Sequence, residues 1–108
     1  MSIFANVRLA RPRKLTASPQ LVYTVPPNRT AIVTSIGVAN KTAVGIAIFL
    51  HLCVGTDPPD DTNVFIPGGV VDANTLVDFT VGQVIHSGDT IQAYGDGLTL
   101  HLSGIEIT

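Results

Sequence analysis

The sequence predicts an all-β protein that folds as a single antiparallel β-sandwich or jelly roll of about eight strands. Its β-branched and aromatic residues fall in short segments, which Gly, Pro, Asn and Asp separate as turns. No segment repeats apolar residues at the three- and four-residue spacing of an amphipathic helix. The length of 108 residues is that of one domain.

The predicted strands in the first half of the chain are long. Residues 21–25 form one strand, which ends at the Pro-Pro-Asn turn of residues 26–28. Residues 30–40 form a second, and residues 44–54 form a third that is apolar on both faces, as is typical of a central strand. Alternation within the second strand assigns Ile32, Thr34, Ile36 and Val38 to one face and the small residues Ala31, Ser35, Gly37 and Ala39 to the other.

The second half of the chain predicts a loop followed by shorter strands. Residues 55–63 contain two prolines and three aspartates, which disfavour a paired strand and favour a loop. In the last strand, residues 98–107, the apolar residues change parity at Ser103-Gly104. This change predicts either a β-bulge or a move of the strand from one sheet to the other. The strands between the loop and this last one are residues 64–66, 70–71, 75–81, 83–86 and 90–94.

The composition is very apolar for a domain of this size. Apolar residues make up 45% of the chain and charged residues 13%, whereas about 25% is the usual charged fraction. A domain of this length removes only about two-thirds of its surface from water on folding. The composition therefore predicts an apolar surface that a partner covers.

Several protein classes are disfavoured by the same data. The most continuous apolar run, residues 44–54, includes His51 and is much shorter than the roughly 20 residues of a membrane-spanning helix. The first six residues lack the basic start and apolar block of a signal peptide. The single cysteine, Cys53, cannot form an internal disulfide, and we interpret it as a small hydrophobe.

The basic residues are concentrated at the N-terminus. Four of the six lie within residues 1–14, which carry a formal charge of +4, and the remaining residues carry −6. We therefore expect two parts, a basic N-terminal arm of residues 1–14 and a β-sandwich domain of residues 15–108. The arm is expected to bind an acidic partner, or else to be a solvated leader. Its candidate partner-binding residues are Arg8, Arg11, Arg13 and Lys14.

The loop of residues 55–63 supplies the candidate acidic contact for such an arm through Asp57, Asp60 and Asp61. These carboxylates could instead bind Ca²⁺, but they lack the ligand spacing of an EF-hand, so we expect no metal or cofactor. Nucleic acid is disfavoured as a partner because the acidic body repels phosphates and no aromatic residues alternate with the basic ones.

Catalytic patterns are weak. His51, His86 and His101 each lie in a predicted strand without a metal-ligand spacing. The stretch His86-Ser87-Gly88-Asp89 contains the residue types of a catalytic triad, but neighbours in one turn cannot converge as a triad requires. We therefore expect a protein that is not an enzyme.

Several turn-and-strand stretches resemble a known group of proteins. They are residues 25–36 followed by Ala39-Asn40, Ala73-Asn74-Thr75, residues 87–91 and residues 103–107. Together they are similar to small β-sandwich proteins encoded among the structural genes of tailed bacteriophages, over residues 20–107. The resemblance implies a virion component without catalysis, and capsid decoration (cement) proteins and tail or neck accessories are of similar size.

The leading hypothesis from the sequence is a phage capsid decoration protein that forms homo-oligomers and binds the assembled shell. Its partners are then further copies of itself and the major capsid protein or another virion protein, without a membrane. Its location is the virion, assembled in the host cytoplasm. One alternative is a tail, neck or baseplate accessory protein. An alternative from another class is a carbohydrate-binding β-sandwich module, which the absence of tryptophan disfavours.

Overall fold

A computed structural model describes residues 4–107, with side chains from residue 8 onward. The described chain contains eight β-strands joined by turns and loops. The strands are β1 (Phe4–Lys14), β2 (Gln20–Thr24), β3 (Thr30–Asn40), β4 (Ile46–Cys53), β5 (Val64–Val71), β6 (Thr75–Ile85), β7 (Thr90–Tyr94) and β8 (Leu98–Ile107).

The strands form two four-stranded antiparallel sheets, which confirms the predicted fold class. The first sheet has the order β1-β8-β3-β6 and the second has the order β2-β7-β4-β5. Successive strands alternate between the sheets in most of the chain, which is the arrangement of an eight-stranded jelly roll. Each sheet therefore ends in two edge strands, β1 and β6 in the first sheet and β2 and β5 in the second.

The basic segment is extended and belongs to the first sheet. Residues 4–14, which the sequence assigned to an arm, form β1 and pair with β8 along most of their length. The register shifts on either side of Ala10, and the side chain of Leu9 turns into the core. Irregularities of this kind are common in edge strands, where they bend the strand and interrupt its outer hydrogen-bonding edge.

The core lies between the inner faces of the two sheets. Alternate residues of the central strands point inward, as the period of two in a strand requires. The residues that are less than 2% exposed include Val33, Ile36 and Val38 from β3, Ile48 and Leu50 from β4, Ile91 from β7 and Leu98 and Leu102 from β8. Burial of this apolar area is the main stabilising contribution to the sandwich.

Neither alternative predicted for the change of parity in β8 is correct, because β8 alternates regularly and the bulge lies in the neighbouring strand. Val33 pairs with Gly104 and Ser35 pairs with Ser103, so Thr34 is the extra residue, and it lies in β3. The sequence assigned the inward-facing residues of β3 correctly after the bulge, where Ile36 and Val38 are buried. Before the bulge the assignment was wrong, because Ala31 and Val33 are buried instead of Ile32 and Thr34. β8 stays in one sheet, and its last apolar residues, Ile105 and Ile107, are half-buried on the outer face.

Gly104 makes this bulge possible because the backbone of β3 passes very close to it. A Cβ atom at this position would clash with the carbonyl oxygen of Ile32 and would lie 2.9 Å from Leu9 Cδ1. Only glycine avoids both contacts.

The side chain of Asn40 connects the two sheets at one end of the sandwich. Its Nδ2 donates to the carbonyl oxygens of Val44 and Val71, each at 2.8 Å, and its Oδ1 accepts from the N–H and hydroxyl of Thr42. The side chain uses both donor hydrogens and both acceptor positions of its amide, although it is only 1% exposed. Asn40 therefore holds the end of β3, the turn after it and the end of β5 together.

We expect Asn40→Ala to lower the free energy of unfolding by about 3 kcal/mol, because it removes the side-chain partner of the buried carbonyl oxygen of Val71 and of the N–H of Thr42. Urea unfolding followed by circular dichroism measures this loss. The exposed neighbour provides a control, since Lys41→Ala should change stability by no more than about 0.5 kcal/mol. Equal effects of the two substitutions would contradict the role given to Asn40.

We expect Gly104→Ala to cost about 2 kcal/mol or more, because the added methyl group must displace the backbone of β3. Gly82→Ala is the matched control, since a Cβ at Gly82 meets no atom within 4 Å. Thermal unfolding of both variants makes the comparison. If Gly104→Ala unfolds at the wild-type temperature, the close packing at the bulge is not required.

Candidate assembly surface

The four basic residues singled out in the sequence lie along one edge of the sandwich. Arg8, Arg11, Arg13 and Lys14 are all exposed on β1, and we call this strand with its four basic side chains the basic edge. Arg13 Nη1 donates to the carbonyl oxygen of Leu21 at 3.1 Å and so connects β1 to β2 across the two sheets. A groove of about 730 Å³ lies between these two strands.

A polar cluster closes one end of the basic edge. The hydroxyl of Tyr23 donates to Glu106 Oε2 at 2.8 Å, and Arg29 Nη1 lies 3.1 Å from Glu106 Oε1. Burial, followed by the hydrogen bond to Glu106, raises the pKa of Tyr23 well above its usual value. The sequence did not indicate this cluster, because its members are separated by 77 and 83 positions along the chain.

The acidic residues lie in the loop between β4 and β5, at a different place from the basic edge. Asp57, Asp60 and Asp61 are exposed there. Asp60 Oδ1 accepts hydrogen bonds from the hydroxyl and the backbone N–H of Thr62, and these bonds lower the pKa of its carboxyl group. Asp60 thus stabilises a turn within the loop, as Asp commonly does.

This loop covers the outer face of β4. His51 Nδ1 lies 2.8 Å from Asn63 Oδ1, and the backbone N–H of Leu52 donates to the carbonyl oxygen of Asn63 at 2.9 Å. His51 is consequently only 6% exposed, although it points away from the core. The sequence predicted that β4 is covered on both sides, and one of the covers is this loop of the same chain.

The fold does not bring the basic and acidic sets together within one chain. Between residues 8 and 107, the ion pair with an N–O distance below 4.0 Å is Arg29–Glu106, and it joins neither set to the other. Their role in binding a partner remains a prediction.

The triad-like residues form a turn. The carboxylate of Asp89 accepts hydrogen bonds from the backbone N–H groups of His86 and Gly55, and Ser87 Oγ donates to the carbonyl oxygen of Pro26. His101 is not part of this turn, since it is exposed on the outer face of the first sheet. Each of these polar side chains thus has a position explained by turn or sheet structure.

In the described part of the chain, no three His, Cys, Asp or Glu side chains lie close enough together to hold a metal ion. The same residues include no helix with the length and apolarity to cross a membrane. Cys53 is 1% exposed, and burial raises the pKa of its thiol.

The edge opposite the basic edge is apolar and open. β5 and β6 end the two sheets there, and between them runs a groove of about 760 Å³ that we call the β5–β6 groove. Its apolar side chains include Phe65, Phe79 and Val81, all half-buried. The sequence did not locate this groove, because the two strands become neighbours only when the sheets pack.

Large apolar side chains are exposed on the same two strands. Val70 on β5 is 64% exposed, and Leu76 and Val84 on β6 are 65% and 53% exposed. Three of the six large apolar residues that are exposed in the described chain thus lie on these two edge strands, and the other three are Leu21, Val44 and Val54.

Comparison with known proteins identifies the fold. No protein-family model and no curated protein matches the sequence. A chain from the disulfide-linked pili of Bacillus endospore appendages is similar in structure, with a TM-score of 0.53 and 14% identity over 99% of this chain and 88% of that one. A chain from infectious bursal disease virus, strain Gx, gives a TM-score of 0.51 and 11% identity over 99% of this chain. This chain spans 32%, or about a third, of that viral chain.

We expect Tyr23→Phe to lower stability by about 1.5 kcal/mol at neutral pH, because it removes a hydrogen bond to a carboxylate. This difference should shrink above about pH 10. In the unfolded wild-type chain the phenol of Tyr23 ionises near pH 10, whereas in the folded chain it stays protonated. Ionisation therefore stabilises the unfolded wild type as the pH rises. Phenylalanine has no such group, so only the wild type loses stability for this reason. Urea unfolding of both proteins at about pH 8 and about pH 11 measures the change, and a constant difference would contradict it.

Proposed function

We propose that this chain is a non-enzymatic structural subunit of an assembled particle, most specifically a capsid decoration (cement) protein of a tailed phage. It binds the assembled shell and stabilises it through contacts with the major capsid protein, or another virion protein, and with further copies of itself.

The observation that carries this proposal is the open apolar edge formed by β5 and β6. A groove of about 760 Å³ with apolar walls opens there between the sheets, and on the outer faces of the same two strands the side chains of Val70, Leu76 and Val84 are exposed. An open apolar groove between two edge strands is a feature typical of a contact with another protein. Because the groove is open along the edge of the sandwich and its polar residue types form no catalytic constellation, it suits an interface better than a substrate site.

The two similar structures support the same class of function. One chain comes from pili and the other from a virus, and the fold that this chain shares with them therefore occurs in assembled structures. The link named for the Bacillus pili is a disulfide. In this chain the single cysteine, Cys53, is buried, so the contacts proposed here are non-covalent.

A tail, neck or baseplate location is the second candidate. The same apolar edge supports it, because it requires only that copies or virion partners cover that edge. The number of copies in each particle distinguishes the two locations, since a shell takes hundreds of copies and a neck or baseplate takes few.

The purified protein is expected to self-associate, with a mass that rises with concentration and does not change on addition of a reductant. Val84→Lys should shift the association towards the monomer, because a lysine on an edge strand opposes pairing with another strand. Val54→Lys, at a loop position that is 71% exposed, is the matched control and should behave as the wild type does. Sedimentation velocity measures all three masses, and a wild-type protein that stays monomeric at every concentration would contradict the proposal.

The location in the virion is tested separately with an antibody against the folded chain. We expect gold-labelled antibody to decorate the heads of phage particles grown in the source host. Labelling of the tail or neck would favour the second candidate. Absence of label from intact particles, with the protein detected only in the lysate, would overturn the assignment to a virion.

A further inference from the structure

We propose that copies of this chain join side by side, with β6 of one copy pairing antiparallel with β1 of the next. This inference rests on the proposed function as an assembling subunit and adds the two surfaces that meet. The contact joins the basic edge of one copy to the β5–β6 edge of another, so each copy uses two different surfaces.

β6 is the edge strand best suited to accept another strand. It has 11 residues, contains neither proline nor a basic residue, and among the described strands it pairs with β3 alone. Natural edge strands are commonly protected by lysine, proline, shortness or a bulge. β6 has no lysine or proline and is not short, and its one irregularity is local, where Val81 and Gly82 lie opposite the single residue Thr34 of β3. Its counterpart in the second sheet, β5, is interrupted by Pro67 and by the positive φ of 96° at Gly68.

The direction of the strands allows β1 of a second copy to continue the first sheet. Each strand of this sheet is antiparallel to its neighbour. Three such steps separate β1 from β6, so these two strands run in opposite directions. When a second copy lies beside β6 in the same orientation, its β1 is antiparallel to β6. The alternation of strand directions then runs unbroken from one copy into the next.

The regular part of β1 is level with the second half of β6. From Phe4 to Arg8 the backbone of β1 pairs with β8 without a register shift. Through β8 and β3, residues 5–7 lie at the level of residues 83–85 of β6, and Arg8 lies at the level of Thr80, beyond the irregularity at Val81 and Gly82. The backbone hydrogen bonds of the contact therefore belong to these two stretches, because further along β1 Pro12 lacks an N–H group.

Asp78, the charged residue of β6, begins a row of paired residues that runs across the first sheet. Gly37 of β3 pairs with Asp78 on one side and with His101 on the other. Asp78 is exposed, and its Oδ1 accepts a hydrogen bond of 3.0 Å from Ser35 Oγ on the outer face. Asp78 therefore presents a carboxylate at the edge that the second copy would meet.

The same row ends at a basic residue on β1. Ala10 and Arg13 pair with the residues on either side of His101, so Arg11 and Pro12 together lie at the level of His101, and Arg11 is the charged one of the two. In the side-by-side arrangement, Arg11 of one copy thus comes level with Asp78 of the other.

The overall charges of the two edges favour this pairing over a symmetric one. The first 14 residues include four basic residues and no acidic one, whereas residues 42–108 include no lysine or arginine and all eight acidic residues. Pairing of two β1 edges would bring eight basic side chains together, and pairing of two β6 edges would bring acidic ones together. Contacts between unlike surfaces do not close on two copies, so they generate rings or filaments.

Charge reversal at the two positions tests the proposal. We expect Asp78→Arg and Arg11→Asp each to raise the concentration needed for self-association by about tenfold, because like charges then face each other. An equimolar mixture of the two variants should associate again. In the mixture, the arginine introduced at position 78 faces the aspartate introduced at position 11, and the second contact is the wild-type one. Asp61→Arg is the matched control, because Asp61 is exposed in the loop between β4 and β5.

Sedimentation velocity of each variant and of the mixture gives the readout, and circular dichroism confirms that each variant is folded. Association should also weaken as salt is added, because exposed charges are screened. If the wild type associates but Asp78→Arg and Arg11→Asp associate equally well, the strand pairing proposed here is overturned while the proposed function stands. If Asp61→Arg alone weakens association, the loop is the acidic contact and the proposal is again overturned. A wild type that never associates contradicts the proposed function itself.

Discussion

A sheet of four strands ends in two strands whose outer N–H and C=O groups have no partner within the sheet, and this molecule has two such sheets. The sequence protects these edge strands against pairing with another strand to different degrees. β1 carries bulges, a proline and four basic side chains, and β5 carries Pro67, whereas β6 carries one irregularity at Val81 and Gly82 and the single charge of Asp78. The unequal protection of the edges is the physical basis for a subunit that associates in a defined direction.

The connections between the two sheets show the same inequality. At the basic edge, Arg13 hydrogen-bonds to the backbone of β2, and Tyr23 on β2 hydrogen-bonds to Glu106 on β8. At the opposite edge the described sheets are joined at one end by Asn40, which binds the carbonyl oxygen of Val71. Further along, β5 and β6 separate enough to leave a groove of about 760 Å³ between them. The more open edge is therefore also the more apolar one.

Much of the fold could be predicted from local patterns, and the errors have a common cause. Seven of the eight strand regions were predicted as strands that overlap the observed ones closely or were only divided, because alternation and turn residues are properties of neighbouring positions. Residues 4–14 were assigned to an arm and form β1, and β5 and β6 were each predicted as two shorter strands. The faces of β3 were assigned wrongly before residue 34, because the bulge there is set by pairing with β8. The bulge or change of sheet predicted in β8 was wrong, because the bulge lies in β3 and Ile105 and Ile107 point to the outer face. The candidate site was predicted less completely. The cluster of Tyr23, Arg29 and Glu106 could not be predicted, because 77 or more positions of chain separate Glu106 from its two partners.

Composition and the period of two along a strand were enough to establish an all-β sandwich with excess apolar surface and with its basic charge in one N-terminal segment. The three-dimensional arrangement was needed to show that this segment is an edge strand and that an apolar groove opens between β5 and β6. It was also needed to show that Arg11 and Asp78 lie in one row of the first sheet. Strand order and register are set by pairing between distant segments, and a local pattern does not specify that pairing.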